Sequence, residues 1–156
     1  MKKVLGIVLP LILVVAVLAG CSKNVTKKTF ANSFGRAKTE ITYYAHGDDV
    51  FKQTTKDTIG YSGLGDSEIK TFKKELRSDS DKLNKIKGVK ETISFDDDEQ
   101  LLIETITVDY EKIDKKKLKE VPGFSEEAKK KKISLKESEK ELKKGGYKEI
   151  KVNKKD

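Results

Sequence analysis

Residues 37–62 read AKTEITYYAHGDDVFKQTTKDTIGYS, and this stretch decides the fold class. Ile41, Tyr43 and Ala45 alternate with Thr42 and Tyr44, the two-residue period of a strand that turns one face inward. His46-Gly47-Asp48-Asp49 interrupts the run with turn-forming residues, and from Val50 a threonine-rich stretch resumes as far as Ile59. The pattern is a β-hairpin, and Phe30 and Phe34 are read as a further strand before it.

Working outward toward the C-terminus, the period changes. Ile69, Phe72, Leu76, Leu83 and Ile86 recur at helical spacing, with Asp66 or Ser67 placed to cap the first turn and Gly88 to stop the helix. A second hairpin follows. Val89 to Phe95 leads into the acidic turn Asp96-Asp97-Asp98-Glu99, and Gln100 to Tyr110 returns with Ile106, Val108 and Tyr110 alternating against Thr105, Thr107 and Asp109. Asp114 caps a short helical turn reaching Lys119, which Val121-Pro122-Gly123 ends. Ser125 to Lys132 is nearly all charged and reads as a mobile loop. Ser134-Leu135-Lys136-Glu137 has the spacing of a capping box and opens a short helix closed by Gly145-Gly146. The expected class is α+β: an antiparallel sheet built from two hairpins, with an amphipathic helix between them and a short C-terminal helix on one side.

The first 20 residues, MKKVLGIVLPLILVVAVLAG, have a different composition. Lys2 and Lys3 precede a run without charge from Val4 to Gly20, the layout of a secretory signal peptide, with an uncleaved anchor helix as the competing reading. The run ends Leu18-Ala19-Gly20-Cys21, an apolar residue and two small ones before a cysteine, which is the arrangement of a lipobox. Small side chains at Ala19 and Gly20 admit the backbone to a membrane-embedded signal peptidase that also reads Leu18. The Cys21 thiol can take a diacylglyceryl group before cleavage and then carry palmitate-type acyl chains as the new N-terminus. Each buried methylene contributes about 0.8 kcal/mol, so two or more chains hold where one would leave. Cys21 is also the single cysteine, which excludes an internal disulfide and a cysteine-based metal site.

The expected organisation is therefore residues 1–20 as a removed signal peptide, 21–28 as a lipidated tether, and 29–156 as one extracytoplasmic domain on the membrane's outer face. The whole chain is 35% hydrophobic and carries a net charge of +8. Removal of the leader takes most of its apolar run but only Lys2 and Lys3 among its cations, leaving a lean, basic chain that can build one small core.

Val50 to Tyr61 (VFKQTTKDTIGY), Glu104 to Lys112 (ETITVDYEK), the lipobox and Ile133-Ser134-Leu135-Lys136 together resemble the YehR-like family of small bacterial lipoproteins, a domain of unknown function. The likeness runs nearly end to end. It implies a lipid-anchored α+β domain with no established activity, and it carries over no catalytic residues.

Few residues suggest chemistry. His46 is the only histidine and falls in a turn, where it reads as solvated rather than as a general base. Gly60, Tyr61, Ser62 and Gly63 lie in a glycine-rich connection that matches neither G-x-S-x-G nor G-x-G-x-x-G. As a candidate ligand loop it offers backbone amides near a helix start and the flat face of Tyr61. Asp96 to Glu99 is contiguous, unlike the alternating ligands of a calcium loop. Neither a metal nor any other cofactor is implied. Lys115 to Lys117 and Lys129 to Lys132, with Lys143 and Lys144, are the densest basic runs. Without interleaved aromatics and outside the cytoplasm they do not suit nucleic acid. Anionic lipid headgroups or acidic wall polymers fit better, against the plainer reading of solvated lysines. The functional expectation is binding or contact at the outer membrane face without catalysis, with small-ligand binding at the loop around Tyr61 as the alternative. The sequence leaves the oligomeric state and the choice of membrane open.

Overall fold

The computed structural model describes residues 24–151. The lipobox residues Leu18, Ala19, Gly20 and Cys21, and the leader before them, lie outside the described residues. Six strands form one antiparallel sheet: β1 (Val25–Phe34), β2 (Ala37–His46), β3 (Asp49–Gly60), β4 (Val89–Asp96), β5 (Leu101–Asp109) and β6 (Lys148–Ile150). Their order is β4-β5-β3-β2-β1-β6. Three helices accompany them, α1 (Asp66–Leu83), α2 (Lys115–Leu118) and α3 (Leu135–Lys144). The class is α+β, with both expected hairpins present as β2–β3 and β4–β5.

The alternation read from the sequence maps onto the pairing. Tyr43 stands opposite Gln53, Thr55 opposite Ile106, and Val89 opposite Val108, so these residues share one face. The helices lie over this inner face. Glu139 of α3 pairs with Lys28 of β1 at 2.6 Å, Leu118 of α2 joins the cluster around Ile106 and Val108, and Lys73 and Arg77 of α1 sit over the ring of Phe95. Two apolar clusters result. One gathers Leu83, Val89, Ile106, Val108, Ile113, Leu118, Val121 and Phe124; the other joins Phe30, Tyr43, Ala45, Val50, Ile133 and Leu135. The outer face carries the other parity, including a row in which Thr29, Thr42, Thr54 and Thr107 stand side by side across four strands. Thr29 and Thr42 share a hydrogen bond of 2.9 Å, and Thr54 and Thr107 one of 3.0 Å.

Several local expectations need correction. β1 starts at Val25 and takes in the last four residues of the stretch read as tether. The long helix is capped by Gly65, whose N–H donates to Glu68 Oε2 at 2.8 Å, and it ends at Leu83 rather than running to Gly88. Between them Asn84 holds β4 by a two-way bond to the Glu91 backbone, its Oδ1 accepting from Glu91 N and its Nδ2 donating to Glu91 O. Gly88 has φ +86°, and a Cβ there would stand 2.8 Å from Ile113 N, so the close approach of two loops demands glycine. The charged segment 125–132 is not a free loop. It makes a 3-10 turn at Glu127–Lys129, buries Ala128, and is tied down by Lys115, whose Nζ donates to the carbonyls of Lys130 and Lys131 at 2.8 and 2.9 Å. Strand β6 was not expected at all, being three residues long.

Candidate functional site

The segment from Val121 to Ile133 crosses the inner face and leaves a cavity on each side. The first, of about 350 Å³, lies at the end of the sheet where β1 begins, since Val25 pairs with His46 and His46 lines it. Lys115, Lys130, Lys131 and Lys132 surround it, so both basic runs of the sequence converge here. Lys130 pairs with Glu141 at 3.3 Å and Lys132 with Asp49 at 2.8 Å, whereas Lys115 reaches only carbonyl oxygens. His46 is not a solvated turn residue. It ends β2, stacks on Phe51 with ring centres 4.6 Å apart, and keeps a buried Nδ1 without a partner.

The second cavity, of about 500 Å³, opens between the sheet and α3. Its floor is polar where the sequence period calls for apolar side chains. Gln53, Thr55 and Asp57 come from β3, and Glu104 stands between Leu102 and Ile106 on β5. Asp57 accepts a hydrogen bond from Thr39, and Tyr110 donates to Gln53 Oε1 at 2.7 Å. Glu127 and Glu141 form the opposite wall with Ser138, Leu142 and Tyr147. No lysine or arginine lines this cavity. Burial, then the adjoining Glu91 and the nearby Asp57, push the Glu104 carboxyl up to about 8. Glu91 is 5% exposed, on the inner side of β4 opposite Ile106, and its Oε2 has no hydrogen-bond partner. Burial pushes the Tyr43 hydroxyl up to about 12, so it remains a neutral donor on the cavity floor.

The loop expected as a ligand site is tied to its neighbours. Tyr61 is 5% exposed, and its hydroxyl donates to Asp97 Oδ1 at 2.6 Å and Asp96 O at 3.2 Å. The hydrogen bond to Asp97 chiefly, with desolvation, pushes it up to about 12. Its ring meets Phe95 edge-on, beneath Lys73. Ser62 accepts from Arg36 through both its carbonyl and its hydroxyl, at 2.7 and 2.5 Å, and Gly63 takes a φ of +98°. Gly60 lies beside the Arg36 backbone, and its N–H donates to Arg36 O at 3.0 Å. These contacts tie the connection between β3 and α1 to the acidic turn after β4 and bury the Tyr61 ring, while Ser62 and Gly63 remain exposed. Asp96 to Glu99 forms that turn, with Asp96 Oδ1 accepting from Glu99 N at 3.0 Å. Among the described residues no group of three or more His, Cys, Asp or Glu is placed to hold a metal ion.

The carboxylates of the second cavity were missed from sequence, although a signal existed. In ETISF and LLIETITV, Glu91 and Glu104 occupy inward positions of otherwise clean alternation.

The family described as "Protein of unknown function (DUF1307)" matches residues 26–148. The chain belongs to that family. DUF1307 relatives include the uncharacterized lipoprotein Lin0239 of Listeria innocua, 38% identical over 144 residues, covering 92% of this chain and 93% of the relative. The uncharacterized lipoprotein YehR of Escherichia coli is 32% identical over 152 residues, covering 96% and 97%. The NMR structure of YehR superposes with a TM-score of 0.69 at 29% identity, covering 86% of this chain and 96% of that one. A protein from Streptococcus pneumoniae shares the fold, with a TM-score of 0.61 at 17% identity and 96% coverage of both chains. The YehR resemblance read from the strands is thus membership, and this DUF1307 chain is a lipoprotein of the cell envelope, anchored to a membrane through lipid.

Proposed function

We propose that the mature lipoprotein starts at Cys21, bears its lipid there, and works at the outer face of the membrane by binding rather than catalysis, with its basic end set against anionic headgroup phosphates. The observation that carries this reading is a coincidence of position. The lysines of two sequence runs converge at the same end of the sheet where β1 receives the chain from Cys21. Four residue steps separate Cys21 from Val25, at most about 14 Å of extended chain, so that end stands within reach of the headgroups. The Lys115 ammonium has no carboxylate beside it, and those of Lys130 and Lys132 are shared with carboxylates that phosphates can displace. The second cavity has no lysine or arginine in its lining and does not suit anions, whereas Lys136, Lys140, Lys143 and Lys144 along α3 add a further basic patch.

The test has two parts. Intact mass of the protein from its native membrane is expected to show a chain beginning at Cys21 plus a diacylglyceryl group, lost in Cys21→Ala; a chain that retains residues 1–20 overturns the anchoring step. The domain freed of its lipid is expected to sediment with phosphatidylglycerol vesicles and not with phosphatidylcholine vesicles. Each lysine near an anionic surface contributes about 1 kcal/mol, so the triple change Lys115→Glu, Lys131→Glu, Lys132→Glu should weaken vesicle binding by about 100-fold or more. Unchanged sedimentation of the triple variant overturns the placement of the basic end. Loss of vesicle binding to soluble glycerol-phosphate polymer at equal phosphate would transfer the role to wall polymer.

A further inference from the structure

We propose that the cleft between the sheet and α3 binds a linear organic cation with two or more ammonium groups joined by methylenes, held between Asp57 and Glu104 on the sheet and Glu127 and Glu141 on the helical wall. The site is distinct from the basic end and does not rest on the membrane-contact reading.

The sign of the charge is the first argument. The chain carries 34 lysines and arginines, yet none lines this cleft, which holds four carboxyl groups, of which, among the described residues, only Glu141 is paired with a lysine, Lys130 at 3.3 Å from outside the lining. Such a local reversal focuses a negative potential in a concave, partly desolvated place. The second argument is Glu91. At 5% exposure, with Oε2 unpartnered, it stands on the inner side of the sheet beside Ile106 and Glu104 of the cleft floor. An unsatisfied buried carboxylate costs stability unless something supplies a positive charge or a proton nearby. The Glu104 carboxyl can supply that proton, since burial and the adjoining Glu91 push it up to about 8. An arriving ammonium replaces that proton and donates to the freed carboxylate.

Shape selects the kind of cation. The carboxylates stand on opposite walls, and Ile41, Ile106 and Leu142 lie between them. A point charge such as a metal ion needs three or more ligands converging, which the described residues do not provide. Separated ammonium groups on an apolar spacer match both features, and the aromatic faces of Tyr43 and Tyr147 at the cleft suit a cation as well.

The experiment is calorimetric titration of the full chain in detergent micelles with spermidine, with ethylamine and magnesium chloride as comparators at matched ionic strength. Saturable binding of one spermidine is expected, with ethylamine and magnesium each weaker by about tenfold or more, since each lost charge-assisted bond is of that order. Glu104→Gln and Glu127→Gln should each weaken spermidine by about tenfold, whereas Glu126→Gln, whose partner Lys129 lies outside the cleft, should leave it unchanged. Glu127→Gln changes a partly exposed residue, so it keeps the test decisive should Glu104→Gln fail to fold. No saturable spermidine binding, an equal response to magnesium, or binding that survives Glu127→Gln overturns the proposal.

Discussion

The two cavities share the side chain of Glu127 and the segment Val121–Ile133 between them, yet one sets four lysines beside Asp49 and Glu111 while the other has carboxyl groups and no lysine or arginine. Their origins differ. The basic cavity draws its charge from connecting segments, Lys115 at the start of a one-turn helix and Lys130 to Lys132 before Ile133. The acidic cleft draws its floor from inward positions of two central strands, Asp57 on β3 and Glu104 on β5. Charge on a loop is inexpensive and adjustable. Charge on the covered face of a sheet costs desolvation and persists only where pairing, protonation or a ligand offsets it. The contrast teaches that net charge describes the loops and surface of this chain, while the residues most informative about a binding site are those whose sign opposes it.

The comparison breaks most completely at Phe124. This ring is 2% exposed, belongs to the larger apolar cluster, stands 6.5 Å from the Tyr110 ring and borders the acidic cleft. Phe124→Ala removes the packing that holds the dividing segment on the sheet and should cost about 3–5 kcal/mol, seen as an early denaturant midpoint. Both cavities should disappear together, with vesicle and spermidine binding lost in the same variant. A cost under about 1 kcal/mol would mean that the segment collapses onto the vacancy and that the two sites are not held by this ring.

A smaller change should separate the two sites. Lys115 Nζ donates to the carbonyls of Lys130 and Lys131, an exposed but two-pronged tie. Lys115→Met keeps the aliphatic stem and removes both bonds, which should cost about 1 kcal/mol. Amide exchange at Ala128 and Lys130, whose N–H groups donate to Phe124 O and Glu127 O, is expected to quicken. Spermidine binding should hold while vesicle binding falls. Unaltered exchange at both amides would show that the buried Ala128 and Ile133, not the lysine, fix the segment.

How much of this was legible depends on the kind of signal. The hairpins were, because Tyr43, Ala45, Ile106 and Val108 alternate cleanly with threonine and the period alone gives their faces. The caps Asp114 and Ser134 were also legible, the first accepting from Lys116 N at 2.8 Å and the second from Glu137 N at 3.2 Å. The charged segment was misjudged because its only apolar residue, Ala128, is small, and what holds it is a lysine from elsewhere in the chain. The burial of Tyr61 was not legible because its partner, the Asp96–Asp97 turn, lies 35 residues away. Of the candidate sites, the lysine runs could be read, although their convergence could not. The acidic cleft could have been found only by treating Glu91 and Glu104 as breaches of the strand period rather than as ordinary polar residues.

The smallest expected effect is a slope with pH, and it assigns the cleft its own titration window. Glu104 is only partly buried, faced by Glu91 from β4 and Asp57 from β3, with Glu127 and Glu141 across the cleft. Its value rises from 4.5 to about 8, first through burial and then through Glu91, so the folded chain holds a proton that the unfolded chain releases. The resulting stabilisation is complete below about pH 4.5 and is lost as pH rises toward 8, the opposite of an ordinary ion-paired carboxylate. Asp48, Asp97 and Glu139 are of the ordinary kind, lowered by hydrogen bonds, and their contribution is lost only at lower pH. Lys132 in the basic cavity is raised by its bond to Asp49, so its contribution fades only above the usual lysine range. Between pH 5 and 8 the melting temperature should therefore decline gently, and Glu104→Gln should flatten the decline while Lys132→Gln leaves it. A slope that survives Glu104→Gln would show that the Glu104 carboxyl is not the group that holds the extra proton in the folded chain.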